Sequence, residues 1–105
     1  MPSKTFLAYA MIACLAAPPA LAAKAKQPND EQTKELFATT CGWCHSDGGR
    51  KAGKGPQLAG TKRSDAFITN RIKHGKEGAM PAFEGALNDA QIKGIIHYIR
   101  DLKPE

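Results

Sequence analysis

The clearest pattern along the chain is a stripe of apolar residues near its C-terminal end. These residues recur at helical spacing, at Ile92, Ile95, Ile96, Ile99 and Leu102. The spacing predicts a helix from Asn88 to Leu102 with one apolar face. Asn88 and Gln91 form a capping-box pattern at its start, and Pro104 follows its end. His97 falls opposite the stripe, so we expect it to face solvent.

Two shorter helices are predicted before this one. The first runs from Asp30 to about Thr39, with Asn29 or Asp30 as its N-cap and Phe37 on its apolar side. The second runs from Ser64 to His74, where Ser64 is the N-cap residue and Gly75 stands directly after the last turn. No convincing strand pattern or internal repeat occurs, so the predicted fold class is all-α.

Long loops separate the helices. The segment from Ser46 to Gly60 is rich in glycine, lysine and proline and predicts an extended loop, and a second loop from Gly75 to Ala86 contains Met80 and Pro81. A loop as long as the first is unusual in a small domain unless it packs on something. Three short helices make a poor core alone, and a large flat apolar cofactor would fill the gap between them.

The N-terminal segment has the layout of a secretory signal peptide at residues 1–22. A positive Lys4 precedes an apolar run from Phe6 to Ala17, and Ala20-Leu21-Ala22 fits the cleavage pattern of small residues. The run is short for a membrane span. The alternatives are an uncleaved anchor or a lipid attached at Cys14. We expect export to the periplasm, a flexible leader at 23–29, a single domain at 30–105 and no stable membrane span after cleavage.

Cleavage would leave two cysteines, Cys41 and Cys44, in the stretch TTCGWCHSDGG. A framework of disulfides is then excluded. Zinc would need four ligands, and His45, adjacent to Cys44, is poorly placed as a third. Thiol–disulfide exchange is the next alternative, but such a motif usually follows a strand, whereas a helix is predicted before Cys41.

Covalent haem attachment is the third chemistry, because C-x-x-C-H is its motif. Two thiols add to the two vinyl groups of the porphyrin, and the next residue then presents an imidazole to the iron. For the second axial ligand the candidates are His74, Met80 and His97. Met80 is favoured because a thioether is a soft ligand that suits haem iron. The alternative for a lone methionine is simple filling of a gap in the core.

Four stretches, CGWCH, GKGPQLAG, GAMPAF and IIHYIRDLK, in this order and at these intervals, resemble a class I bacterial cytochrome c. The resemblance spans roughly Glu31 to Lys103. It implies a compact cytochrome c domain of three main helices, with long loops wrapped around one covalent haem c. Cys41 and Cys44 would form the thioethers.

The resemblance also implies specific contacts. The first and last helices would cross near Phe37 and Tyr98, and the Pro56 carbonyl would accept a hydrogen bond from His45 Nδ1. Many members carry a glycine near the crossing where this chain has Leu36, so a wider or differently staggered crossing is expected. Further walls of the haem pocket are expected from two residues, Leu58 and Phe83.

Iron with His45 and Met80 as its axial ligands has no open position, which indicates a one-electron carrier rather than an enzyme. The alternatives are an electron-accepting subunit of a periplasmic dehydrogenase, such as a quinoprotein, and a gas-binding or peroxidase-like haem protein. Trp43, between the cysteines, is expected to be a variable side chain beside the haem, and an electron conduit is the alternative.

Charge indicates the kind of partner. Between Arg50 and Lys76, eight basic residues stand against Asp65 alone, which favours redox protein partners with an acidic docking face. The alternative is a solvated basic surface. No nucleic-acid-binding motif occurs. We expect the protein to act as a monomer.

Overall fold

The computed structural model describes residues 28–104. Within this range three α-helices occur: α1 (Asp30–Thr40), α2 (Asp65–His74) and α3 (Asp89–Asp101). A single 3-10 turn, Asp47–Gly49, lies between α1 and α2. The all-α prediction is confirmed, and each helix begins and ends within two residues of its predicted bounds. The predicted signal peptide at 1–22 and most of the leader at 23–29 lie outside the described residues.

Side-chain caps explain where the helices begin. Asn88 Oδ1 accepts from Gln91 N–H at 2.8 Å while Gln91 Oε1 accepts from Asn88 N–H at 2.9 Å, which is the predicted capping box. At α1 the cap is Asn29, and Gln32 completes a second capping box. Ser64 caps α2 by accepting the Phe67 N–H at 3.1 Å.

The core forms where α3 packs against both α1 and α2. Its buried members come from all three helices and the turn before α3: Phe37, Ile72, Leu87, Ile92, Ile95, Ile96 and Ile99. The whole predicted stripe of α3 is buried, and burial of such apolar surface is the main favourable term in folding. His97 has 67% of its side chain exposed, as expected.

The crossing of α1 and α3 lies near the predicted pair. The rings of Phe37 and Tyr98 are 4.8 Å apart between centroids, and Tyr98 donates its hydroxyl hydrogen to the Gly48 carbonyl at 2.7 Å. Close approach of the helices is made possible by Gly94 of α3, where an added Cβ would lie 3.1 Å from Thr33 Oγ1. The small residue at the crossing is therefore on the last helix.

The segment from Ser46 to Gly60 is not the extended loop that its composition predicts. It turns back on itself, because the N–H groups of Leu58 and Ala59 both donate to the Gly49 carbonyl, at 2.9 and 3.0 Å. Asp47 and the two glycines after it have positive φ angles, which close this turn. The fold-back places the Gly55–Leu58 stretch beside the end of α1.

Candidate haem site

The two cysteines and His45 follow directly on the last turn of α1. Cys41 is the C-cap residue, and its carbonyl accepts from the N–H groups of Cys44 and His45, at 3.2 and 3.0 Å. Gly42 permits this tight turn, since a Cβ there would lie 2.5 Å from the Ala38 carbonyl oxygen. All three functional side chains line the same cavity.

The imidazole of His45 is fixed from its Nδ1 side. This nitrogen lies 2.9 Å from the carbonyl oxygen of Pro56, the contact that the resemblance implies. A carbonyl oxygen only accepts, so Nδ1 carries a hydrogen, and in the neutral imidazole the free lone pair is then on Nε2. Holding the second nitrogen in this way is the usual arrangement of a metal-bound histidine.

Gly55 packs against the same ring. A Cβ at this position would lie 2.6 Å from His45 Cε1 and 2.9 Å from Nδ1, so only glycine allows the loop so close. The Gly55 N–H also donates to the Cys44 carbonyl at 2.9 Å. The Gly55–Pro56 backbone and the cysteine turn therefore hold His45, which has only 9% of its surface exposed.

Met80 reaches the cavity from the loop after α2. Lys76 and Met80 exchange both backbone hydrogen bonds, each 2.8 Å long. Gly75 begins this loop with φ at +66°, and a Cβ there would contact the Met80 carbonyl oxygen and lie 2.6 Å from the Pro81 carbonyl carbon. The half-buried Met80 side chain is thus carried by a short closed turn.

The other two histidines lie away from the cavity lining. His74 Nδ1 is 3.8 Å from Glu84 Oε2, and His97 Nε2 is 3.3 Å from Asp101 Oδ2. Both imidazoles are more than half exposed. Of the three candidates for the second iron ligand, His74, Met80 and His97, the structure brings Met80 to the cavity.

The cavity has a volume of about 440 Å³, within the range usual for cofactor pockets, about 300–1,000 Å³. Its lining includes all seven residues predicted from the sequence: Cys41, Cys44, His45, Pro56, Leu58, Met80 and Phe83. Two thiols, an imidazole with a free Nε2 and a thioether, set in an apolar pocket, suit a covalently attached haem.

Sequence reasoning missed the contribution of α2 and α3 to this pocket. Phe67, Ile68 and Ile72 of α2 line it together with Ile95 and Ile99 of α3. These positions had the ordinary signal of a helix packed on a protein core. A helix that lines a cofactor pocket shows the same apolar periodicity. Only the three-dimensional arrangement therefore distinguishes a pocket-lining helix from one packed on a protein core.

The geometry of the site disfavours the two alternative chemistries, a zinc site and thiol–disulfide exchange. No cluster of three or more metal-ligating His, Cys, Asp or Glu side chains occurs between residues 28 and 104, which disfavours a zinc site. Burial, and secondarily the neighbouring Cys44, raises the pKa of the Cys41 thiol to about 11. Thiol–disulfide exchange needs a thiolate, so this environment disfavours it as well.

A protein-family comparison decides the class of protein. Residues 28–99 match the family described as cytochrome C oxidase, cbb3-type, subunit III. The chain belongs to this family. It is a small monohaem c-type cytochrome domain, and the class I cytochrome c resemblance is confirmed. The family implies a covalent haem c, and the cysteine pair that such a group needs is present.

Individual relatives agree with this assignment. Cytochrome c6 of Gracilaria tenuistipitata var. liui is 36% identical over 72 residues, which cover 63% of this chain and 66% of that protein. The cbb3-type cytochrome c oxidase subunit FixP of Bradyrhizobium diazoefficiens is 32% identical over 79 residues, or 66% of this chain and 26% of that protein. The chain thus matches about a quarter of FixP.

The fold of this cytochrome domain recurs in solved structures. The c-type cytochrome KustC0563 superposes with a TM-score of 0.60 at 24% identity, covering 68% of this chain and 96% of that one. As a member of this cytochrome c family, the domain is an electron carrier similar to cytochrome c6. Over the described range, no helix has the length and apolar character needed to cross a membrane.

Proposed function

We propose that the mature protein is a periplasmic one-electron carrier with one haem c, bonded to Cys41 and Cys44 and ligated by His45 and Met80. One observation carries this proposal: a single cavity collects both thiols, an imidazole with its Nε2 free and a thioether. Export rests on the N-terminal sequence pattern.

Each of these residues has a distinct task. The Pro56 carbonyl holds the proton of His45 on Nδ1 and so presents Nε2 as the donor. Met80 supplies a soft thioether from a turn closed by Lys76. Leu58 and Phe83 contribute apolar side chains to the cavity lining. When bound, the haem would supply the one-electron exchange between Fe(II) and Fe(III). If His45 and Met80 both held the iron, no iron site would be left open to a substrate.

Basic side chains around the cavity support the proposal that the docking partner is acidic. Four basic side chains contribute to the cavity lining: Lys54, Arg63, Arg71 and Lys76. They belong to the basic segment from Arg50 to Lys76. Complementary charge raises the rate of encounter and permits a short-lived complex, which suits a carrier that exchanges partners.

Replacement of Met80 tests the proposal. We expect Met80→Ala in the haem-loaded protein to lower the reduction potential and to allow carbon monoxide to bind the reduced form. The wild-type protein should bind it slowly or not at all. Gly85→Ala, in the same loop with open space around it, is the control. If wild-type protein and Met80→Ala bind carbon monoxide equally fast, Met80 is not a ligand, and a gas-binding function is favoured.

A second candidate is a cytochrome fixed to one redox enzyme as its electron-accepting subunit. The family description and the match to part of FixP favour it, and a periplasmic dehydrogenase such as a quinoprotein is another host for the same chemistry. Purification from native cells separates the two. A free carrier elutes alone, whereas a subunit elutes in constant ratio with its enzyme.

A further inference from the structure

Trp43 is the most exposed large apolar side chain between residues 28 and 104, with 82% of its surface accessible. The other exposed large apolar side chain is Phe67, which is only 37% exposed. The guanidinium groups of Arg63 and Arg71 lie 4.5 and 5.2 Å from the centroid of the Phe67 ring. Trp43 is therefore the apolar surface that this part of the chain leaves open to a partner.

The indole of Trp43 is held in place although it is exposed. Its Nε1–H donates to the Thr39 carbonyl at 3.0 Å, one turn back along the chain. This bond satisfies the only polar group of the side chain, so a partner would meet the apolar ring. Because the ring is already oriented, binding costs less conformational entropy than it would for a free side chain. Tryptophan is also enriched among residues that dominate binding energy.

The position of Trp43 links it to the haem site and to a cation. It lies between Cys41 and Cys44, whose side chains line the cavity. The Cys44 carbonyl accepts from Gly55 N–H at 2.9 Å, which places the preceding residue, Lys54, at this edge. Lys54 is exposed and also lines the cavity. Trp43 is therefore adjacent to Cys44 in the chain, and Lys54 is adjacent to the residue that is hydrogen-bonded to Cys44.

We propose that Trp43 is the apolar anchor of the docking surface and that Lys54 is its charged neighbour. The occupant is a redox protein that presents an apolar patch bordered by carboxylates, because interfaces combine an apolar centre with a polar rim. This inference rests on the proposed carrier function. The contact of Trp43 should persist at high salt, whereas that of Lys54 should be screened.

Voltammetry of the haem-loaded protein on gold electrodes tests whether Trp43 provides an apolar contact and Lys54 a charged one. One electrode carries a carboxylate-terminated monolayer and the other a mixed carboxylate- and methyl-terminated monolayer, which imitates the proposed patch. We expect Trp43→Ala to adsorb about five- to tenfold more weakly on the mixed monolayer at high salt. Trp43→Phe should keep most of the binding. Lys54→Gln should instead reduce the salt dependence of adsorption on both monolayers. His97→Ala, on the solvent face of α3, is the matched control.

Equal adsorption of the wild-type protein and Trp43→Ala on the mixed monolayer would overturn the inference. So would a loss seen only on phosphatidylglycerol vesicles, which would assign the side chain to a membrane surface. A wild-type dimer that dissociates on Trp43→Ala would assign it to self-association and overturn it too. If the wild-type protein shows no reversible one-electron wave on either electrode, the carrier function itself fails. If the wild-type wave is normal but Trp43→Ala adsorbs as strongly as the wild-type protein, only the proposed docking surface is rejected.

Discussion

At the scale of single residues, the orientation of His45 depends on two neighbours that carry no functional side chain. The Pro56 carbonyl fixes the protonated nitrogen, and Gly55 leaves room for the ring. Neither effect comes from a charged or catalytic group. Substitutions that change only volume should therefore disturb the haem site.

We expect Gly55→Ala to destabilise the haem-loaded protein by about 1–3 kcal/mol, the usual cost of overpacking. The new methyl group would lie 2.6 Å from His45 Cε1, so either the ring or the loop must move. Denaturant unfolding monitored by haem absorbance measures the change. Gly85→Ala is the matched control, because nothing lies within 4 Å of a Cβ there. Equal stability of the two variants would contradict the assigned packing.

Residues of the site differ in how far the sequence predicts them. Cys41, Cys44 and His45 follow from the spacing of one pentapeptide, Met80 from the ligand chemistry of its thioether, and Pro56 from the resemblance to class I cytochromes c. Gly55 could not be predicted, because its role arises only when the loop folds onto the imidazole. A glycine in a glycine-rich loop has no signal of its own in the sequence.

At the scale of elements, the loop that carries Met80 is tied to α2 at several points. The Phe83 N–H donates to the Ile72 carbonyl at 2.9 Å, and the Glu84 N–H donates to the Lys73 carbonyl at 3.2 Å. Lys73 Nζ also lies 3.0 Å from Asp89 Oδ1 at the start of α3. The loop is therefore held from both ends, and its geometry depends on the turn at Gly75.

Gly75→Ala should displace this loop and so weaken the proposed bond from Met80 to the haem iron. The residue has φ at +66°, where a side chain is strained, and a Cβ would collide with the backbone of Met80 and Pro81. We expect a lower reduction potential and faster carbon monoxide binding, in the same direction as for Met80→Ala. Spectroelectrochemistry measures both. An unchanged potential would show that the loop does not set the ligation.

The crossing of α1 and α3 offers a second test at this scale. Tyr98→Phe keeps the ring that packs on Phe37 and removes the hydrogen bond to the Gly48 carbonyl. We expect a loss of about 0.5–1.5 kcal/mol in the free energy of unfolding, with the reduction potential unchanged. Thermal unfolding and voltammetry of the same sample give the two values. A large shift in potential would mean that Tyr98 acts on the haem directly.

Helices were easier to predict than loops for a physical reason. Caps and apolar period are local, so the capping box at Asn88 and the stripe of α3 are visible in the sequence. The fold-back of the 46–60 segment depends on bonds between Gly49 and Leu58, which are nine residues apart. Gly94 similarly matters only because Thr33 of another helix lies against it.

At the scale of the whole molecule, charge is unevenly distributed. The basic segment from Arg50 to Lys76 supplies four side chains to the cavity lining, while acidic residues stand in the first turn of α1. This asymmetry gives the proposed electron-exchange edge a positive field. This field should change the rates at which small charged redox reagents react with the protein.

Oxidation of the reduced protein by hexacyanoferrate(III), an anion, should slow as ionic strength rises. Oxidation by a tris(phenanthroline)cobalt(III) cation should accelerate, because salt screens attraction and repulsion alike. A Lys54→Glu/Lys76→Glu variant should lose most of both effects, whereas Lys93→Gln on α3 should not. Stopped-flow absorbance gives the rates. Rates with the anion that do not depend on salt would reject a charged exchange edge.

In the proposed carrier, one chain carries one covalent haem that exchanges one electron. A potentiometric titration of the purified mature protein, monitored by haem absorbance, measures this exchange. We predict a single reversible transition with a one-electron slope and one haem per chain. A transition of more than one electron, an irreversible one, or substoichiometric haem lost from the chain during the titration would rule out this carrier.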